Sequence, residues 1–245
     1  LYSRTGNQKK AREVIEPLLE QKYVSDELRA SAVFQLSDIA QAQTNMLTAL
    51  SVLETGIKQL SDPIWKGEAN LRKGKLLIKM GKIDEGIDLV RSFVSTQPAN
   101  ASTRRVQIEL ADTLFGRNLI EKALIEYQNY LEAFSDQAGI ARANEGKGWA
   151  LFRLRRYHEA IPSFKKAYDL LSGSQDKARC NFKIADCYFA AGQFDMANEV
   201  YNQVMRECPE TPIADQSQFQ IAECEAQSGR STEAEALFWK LIDDD

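Results

Sequence analysis

The stretch from Glu145 to Tyr168, EGKGWALFRLRRYHEAIPSFKKAY, decides the fold. Gly148 and Ala160 are small residues twelve apart, and Arg155 falls at the turn between them. Phe164 and Tyr168 follow Ala160 by four and eight residues. That spacing puts all three on one helical face, which reads as the buried one. A small residue lets two helices cross closely, and one on each of two helices is what a tight antiparallel hairpin needs. The stretch therefore reads as helix A, turn, helix B.

The same register recurs outward in both directions with a period of 37 residues. Ala49, Gly86, Ala123, Ala160, Ala197 and Ala234 follow one another at that interval. Twelve residues earlier stand Ser37, Gly74, Ala111, Gly148, Ala185 and Ala222. Four residues later come Leu53, Val90, Tyr127, Phe164, Tyr201 and Phe238, and eight later Ile57, Val94, Leu131, Tyr168, Met205 and Ile242. The turn position holds Thr44, Gly81, Asn118, Arg155, Gly192 and Gly229. Gly and Asn suit the left-handed residue that ends a helix. Asp62-Pro63 and Thr211-Pro212 place a capping side chain before a proline at the first helical position. Ser25 and Ser174 are candidate caps for two other A helices, and Pro98 and Pro209 fall just after B helices.

Six units follow, near 25–61, 62–98, 99–135, 136–172, 173–209 and 210–245. Residues 1–24 read as the end of one A helix and a B helix, with Gly6 and Ala11 in the turn and small positions. No linker is long or low in complexity, so residues 1–245 read as a single solenoid. The sequence opens at Leu1 inside a helical pattern and reads as a fragment.

Composition agrees with this reading. Apolar residues make up 44% of the 245, enough for a core, while 13 Gly and 6 Pro are too few for a sandwich, a barrel or a disordered chain. The formal charge of -4 argues against general polyanion binding and hence against a nucleic-acid partner. No apolar run reaches 18 residues, so no direct membrane insertion is expected. His158 is the single histidine and reads as a solvated residue at the start of a B helix. Cys180, Cys187, Cys208 and Cys224 form no C-x-x-C pair, which removes the usual zinc and redox patterns. They read as packing residues without an intrachain disulfide, Cys208 being the partly exposed one. No nucleophile–base pair, phosphate loop or metal spacing is present, so the expectation is no enzyme, no metal and no cofactor. Asp243-Asp244-Asp245 opposes the helix dipole and reads as a fraying end.

Gly148, Leu151, Ala160, Phe164 and Ala167, with Ile184, Ala185, Tyr188, Gly192, Ala197, Tyr201 and Pro209, fit a known pattern. On these residues the chain resembles the tetratricopeptide repeat (TPR) family. The resemblance implies an all-α, right-handed superhelical solenoid of stacked antiparallel helical hairpins. Two departures stand out. The large residue usual at position 4 (counting the second small residue as position 20) is replaced by Asn70, Gln107, Asn144, Asn181 and Gln218. The period is 37 residues, and the extra ones precede helix A and lengthen it by about one turn. Long repeats joined through prolines also resemble those of bacterial cell-envelope TPR proteins, which points to a periplasmic or envelope location.

The family's peptide groove implies a function for one stripe of helix A, positions 2, 5, 9 and 12. Here that stripe carries Arg105, Arg142 and Arg179 beside Phe115, Trp149, Phe152, Phe182, Phe189 and Phe219. Arg with exposed aromatics is the composition of binding hot spots. The resemblance thus implies a protein–protein interaction scaffold that holds a peptide or partner helix with apolar and acidic groups. The same aromatics are also suited to packing within their own repeats, Arg142 is placed to pair with Glu145 one turn on, and Asp112 and Asp186 are placed to neutralise the other two arginines. The family's clamp for chaperone C-termini needs Lys at position 5 and Asn at position 9, which no repeat has. The alternative is a structural or self-association module of an envelope assembly.

Overall fold

A computed structural model describes residues 8–21, 23–97 and 100–243. Among them are thirteen α-helices and no strand. α1 (Gln8–Glu20) precedes six pairs. The pairs are α2 (Asp26–Ala42) with α3 (Met46–Gln59), α4 (Pro63–Lys79) with α5 (Ile83–Thr96), and α6 (Ala101–Gly116) with α7 (Ile120–Ala133). They continue as α8 (Gln137–Arg153) with α9 (Tyr157–Leu170), α10 (Ser174–Ala190) with α11 (Phe194–Glu207), and α12 (Pro212–Gln227) with α13 (Ser231–Asp243). The fold is all-α and built of helical hairpins. Gly6, Pro98, Asp244 and Asp245 lie outside the described residues.

All six turn positions have positive φ, from 59° at Thr44 and Arg155 to 89° at Gly81. This conformation reverses the chain within a few residues and lets helix B fold back along helix A. The side-chain caps are only partly those expected. Ser25 Oγ accepts from Leu28 N at 3.3 Å and Asp62 Oδ1 from Ile64 N at 2.7 Å. Thr211 does not cap: its hydroxyl donates back to the Cys208 carbonyl at 2.6 Å. Ser174 is already the first helical residue, one place too far along, and Gly173 holds the cap position without a side chain. Asn100 and Asp136 cap α6 and α8 instead, accepting from Thr103 N at 3.1 Å and from Gly139 N at 3.0 Å.

The Cα packing divides the chain into two compact units, residues 1–106 and 107–245. The first has an aliphatic core of Val33, Leu53, Leu60 and Leu76, with Phe34 at its edge. Gly74 and Gly86 show why the register needs small residues. A Cβ added at Gly86 would lie 2.6 Å from the Gly74 carbonyl oxygen, and one at Gly74 would lie 2.8 Å from that of Gly86. The two backbones touch, and no side chain fits between them.

The second unit packs around aromatics. Phe164 and Tyr201 are fully buried and Tyr127 nearly so, each burial stabilising by about 1.5–3 kcal/mol. Both tyrosines are polar-capped. Tyr127 donates to Asp112 Oδ1 at 2.7 Å and Tyr201 to Asp186 Oδ1 at 2.5 Å. Burial raises both phenols far above their ordinary pKa, so each hydroxyl stays a donor. Of the residues four after the second small position, Tyr127, Phe164 and Tyr201 are deep and Phe238 is half-buried. Those eight after it are shallower than the spacing suggests: Leu131, Tyr168 and Met205 are half-buried and Ile242 is exposed. Tyr130, Ala167 and Val204, one residue earlier, take the deep place.

All four cysteines are free and buried. Burial pushes the Cys180, Cys187 and Cys224 thiols up to about 12. Cys208 is buried too, 5% exposed, because the chain turns over it at the end of α11. His158 is exposed in the first turn of α9.

Candidate partner-binding face

The stripe of positions 2, 5, 9 and 12 runs along α6, α8, α10 and α12. Arg105 lies on the first-unit side of α6 and is exposed. The other eight candidates lie in the second unit. Arg142 and Arg179 are exposed, but each is engaged. Arg142 is paired not with Glu145, one turn on, but with Asp112 of α6, which also accepts from Tyr127. Arg179 pairs with Asp176 at 2.9 Å. Exposed pairs of this kind are worth about 0–1 kcal/mol, so a carboxylate ligand can replace the internal partner at little cost.

The aromatic row splits by depth. Phe182 is 8% exposed and stacks edge-on against Tyr201, ring centroids 5.2 Å apart, so its ring is chiefly core. Phe219 is 46% exposed and leans on Phe238 at 5.7 Å. Phe115, Trp149, Phe152 and Phe189 are half-buried. Phe152 touches Trp149 and Tyr157, Phe189 touches Phe194, and the Arg153 guanidinium sits 5.5 Å from the Phe115 ring. Trp149, Phe152 and Phe189 thus pack partly on their own repeats, while Phe115 meets Arg153 of the following repeat. This follows from position: residues at the edge of the A–B contact see the partner helix on one side only.

Three A helices, with Phe164 of α9, enclose a cleft of about 190 Å³. Trp149 and Glu145 of α8, Arg179, Phe182 and Lys183 of α10, and Gln216 of α12 line it. Lys183 lies 4.8 Å from the Trp149 ring and 5.0 Å from Phe182, and donates to Asp186 at 2.6 Å. The cleft combines an indole face, a phenyl edge and two cationic side chains. Such a site can seat a flat or branched apolar side chain and hold a neighbouring carboxylate. Lys183 is one residue off the stripe, so periodicity alone passes over it. Glu145 and Gln216 lie on the stripe, and neither Arg nor aromatic chemistry marks them. Among the described residues no cluster of His, Cys, Asp and Glu is placed to hold a metal ion, and no helix is long and apolar enough to cross a membrane.

Residues 139–210 match a family model described as tetratricopeptide repeat. Residues 139–210 are thus similar to tetratricopeptide repeats. Solved TPR structures share the fold at low identity. The C-terminal part of a TPR repeat-containing protein from Cytophaga hutchinsonii is 16% identical, with TM-score 0.68 over 98% of this chain and 91% of that one. A tetratricopeptide repeat protein from Parabacteroides merdae is 17% identical, with TM-score 0.55 over 88% of this chain and 79% of that one. MamA from Desulfovibrio magneticus is 12% identical, with TM-score 0.54 over 72% and 93%. No curated protein matches the chain significantly. TPR arrays are protein-interaction scaffolds, and the family is typically non-enzymatic.

Proposed function

We propose that this TPR chain is a scaffold that holds an extended or helical segment of a protein partner on the A-helix stripe. The observation that supports the reading is the cleft where Trp149, Phe182 and Arg179 meet. It is small, suited to one side chain, and exposed Arg179 lines it. The matching ligand carries an apolar anchor next to acidic groups.

The test starts from a peptide library selected on the full chain and titrates the recovered peptides by fluorescence polarisation. Phe152→Ala is expected to weaken binding by about 1–3 kcal/mol while preserving the helical spectrum. Arg142→Glu should weaken acidic peptides further and reduce the salt sensitivity of what remains. Lys166→Ala, on a B helix, should bind like wild type. Groove variants that bind like wild type would sink the reading.

We also infer a second reading, self-association within an envelope assembly, from one observation. Trp239 and Ile242 of α13 are 58% and 64% exposed, and with Phe238 they line an apolar recess of about 430 Å³. Such a surface suits another helix packed against it. Light scattering on the chain alone, and on Trp239→Glu, separates the two. A concentration-dependent oligomer lost in Trp239→Glu favours assembly, and a monomer throughout rejects it.

A further inference from the structure

A larger cleft lies on the opposite layer of the second unit, between the B helices α7 and α9 and above α8. Its volume is about 570 Å³, within the ~300–1,000 Å³ common for small-molecule sites. The sequence of this repeat accounts for it. Position 4 of helix A and position 23 of helix B meet across the hairpin. In repeat 99–135 they are Gln107 and Glu126, which fill the space: Gln107 Nε2 donates to Glu126 Oε2 at 2.7 Å and both are buried. In four other repeats position 23 is bulky, as Val52, Leu89, Val200 or Leu237. Repeat 136–172 alone has short polar residues at both places, Asn144 and Ser163. They are 5% and 4% exposed, and both line the cleft.

The charge around the cleft opposes that of the chain. Formal charge over all residues is -4, yet the walls hold Lys147, Arg156 and Lys166 against Glu159 alone. Glu159 is already taken by Arg156 through bonds of 2.7 and 2.6 Å. That bond holds its carboxyl below the usual range, and the Lys147 charge adds to the effect. Neither Lys147 nor Lys166 makes an ion pair among the described residues. Leu131, Ile140 and Leu151 supply an apolar side.

We propose that this cleft binds a small organic anion, an apolar body bearing a carboxylate or phosphate. Leu131, Ile140 and Leu151 receive the body, Asn144 and Ser163 offer an amide and a hydroxyl, and the two lysines meet the acidic group. The site is separate from the A-helix stripe and does not depend on it.

The experiment titrates the full chain with phenylacetate, phenyl phosphate and neutral phenylacetamide, following the amide NMR shifts of Asn144 and Ser163. Saturable shifts with one or both anions are expected, with the neutral amide about tenfold weaker or worse. The stronger anion says whether a carboxylate or a phosphate is the preferred group. Ser163→Val installs the bulk found at Val52 and Val200 and should weaken the anion about tenfold. The double variant Lys147→Ala/Lys166→Ala should do the same and flatten the salt dependence. Arg142→Glu, on the stripe, should leave anion binding unchanged. No saturable shift, equal binding of the amide, or wild-type affinity in the lysine double variant would overturn the proposal. The lysine variant carries the test if Ser163→Val loses its helical spectrum.

Discussion

Repeats 99–135 and 136–172 are adjacent, share one register and differ at two pairs of positions. In the first, Gln107 meets Glu126 and Asp112 meets Tyr127, so both A–B contacts are closed by hydrogen bonds. In the second, Asn144 and Ser163 leave a cleft, and Trp149 meets Phe164 edge-on, centroids 6.0 Å apart. Repeat 173–209 returns to the polar form, with Tyr201 on Asp186. The difference shows that the small residues fix the hairpin while the pairs beside them decide which chemistry the hairpin presents. One repeat is sealed on both sides, and its neighbour is open on one layer and aromatic on the other.

The largest expected effect breaks the sealed pair. Glu126→Ala removes the buried carboxylate that accepts from Gln107 at 2.7 Å, leaving it only the Glu126 carbonyl at 3.3 Å, and should cost about 3 kcal/mol in urea denaturation. Ser163→Ala removes only a 3.5 Å bond to a helix carbonyl and should cost less than about 0.5 kcal/mol. Equal losses would erase the contrast. Next comes the crossing that the two repeats share. Ala160→Leu and Ala123→Leu should each cost about 2 kcal/mol, because both sites are fully buried. A large gap between them would mean the open cleft relieves the crossing. A smaller effect probes the second pair. Tyr127→Phe should lose about 1 kcal/mol by removing the bond to Asp112. Phe164→Tyr should lose about as much by placing a hydroxyl against the Trp149 ring. The smallest change is Ser163→Val, expected within about 0.5 kcal/mol of wild type, since the site has room for the added bulk.

Much of the fold was legible because a 37-residue period repeats six times without slippage. Even the turn residues with positive φ fell where the register put them, Thr44 and Arg155 included. Caps were harder, since Asn100, Asp136, Ser174 and Thr211 are equally good cappers on paper and one residue of offset decides between them. The candidate face was legible only as a stripe. Depth along it differs from repeat to repeat, Phe182 sinking against Tyr201 while Phe219 stays out against Phe238. The arginines were visible, but not that Arg179 turns to Asp176 within its own helix. The outer cleft was hidden because it arises from missing bulk at two positions far apart in sequence. Asn144 was visible as a departure from the family pattern, but nothing in it announced a cavity.

The turns carry a last consequence. Three of the six hold a residue with a side chain in the left-handed conformation, and at Thr44 that residue is β-branched. Each such residue stands about 1 kcal/mol or more above glycine in this conformation. The array therefore sits below its own stability ceiling, at sites touching neither the stripe nor the outer cleft. Exchanging Thr44 and Arg155 for glycine, as Gly81, Gly192 and Gly229 already are, would recover part of that difference. It would give a sturdier starting point into which the more disruptive substitutions could be introduced.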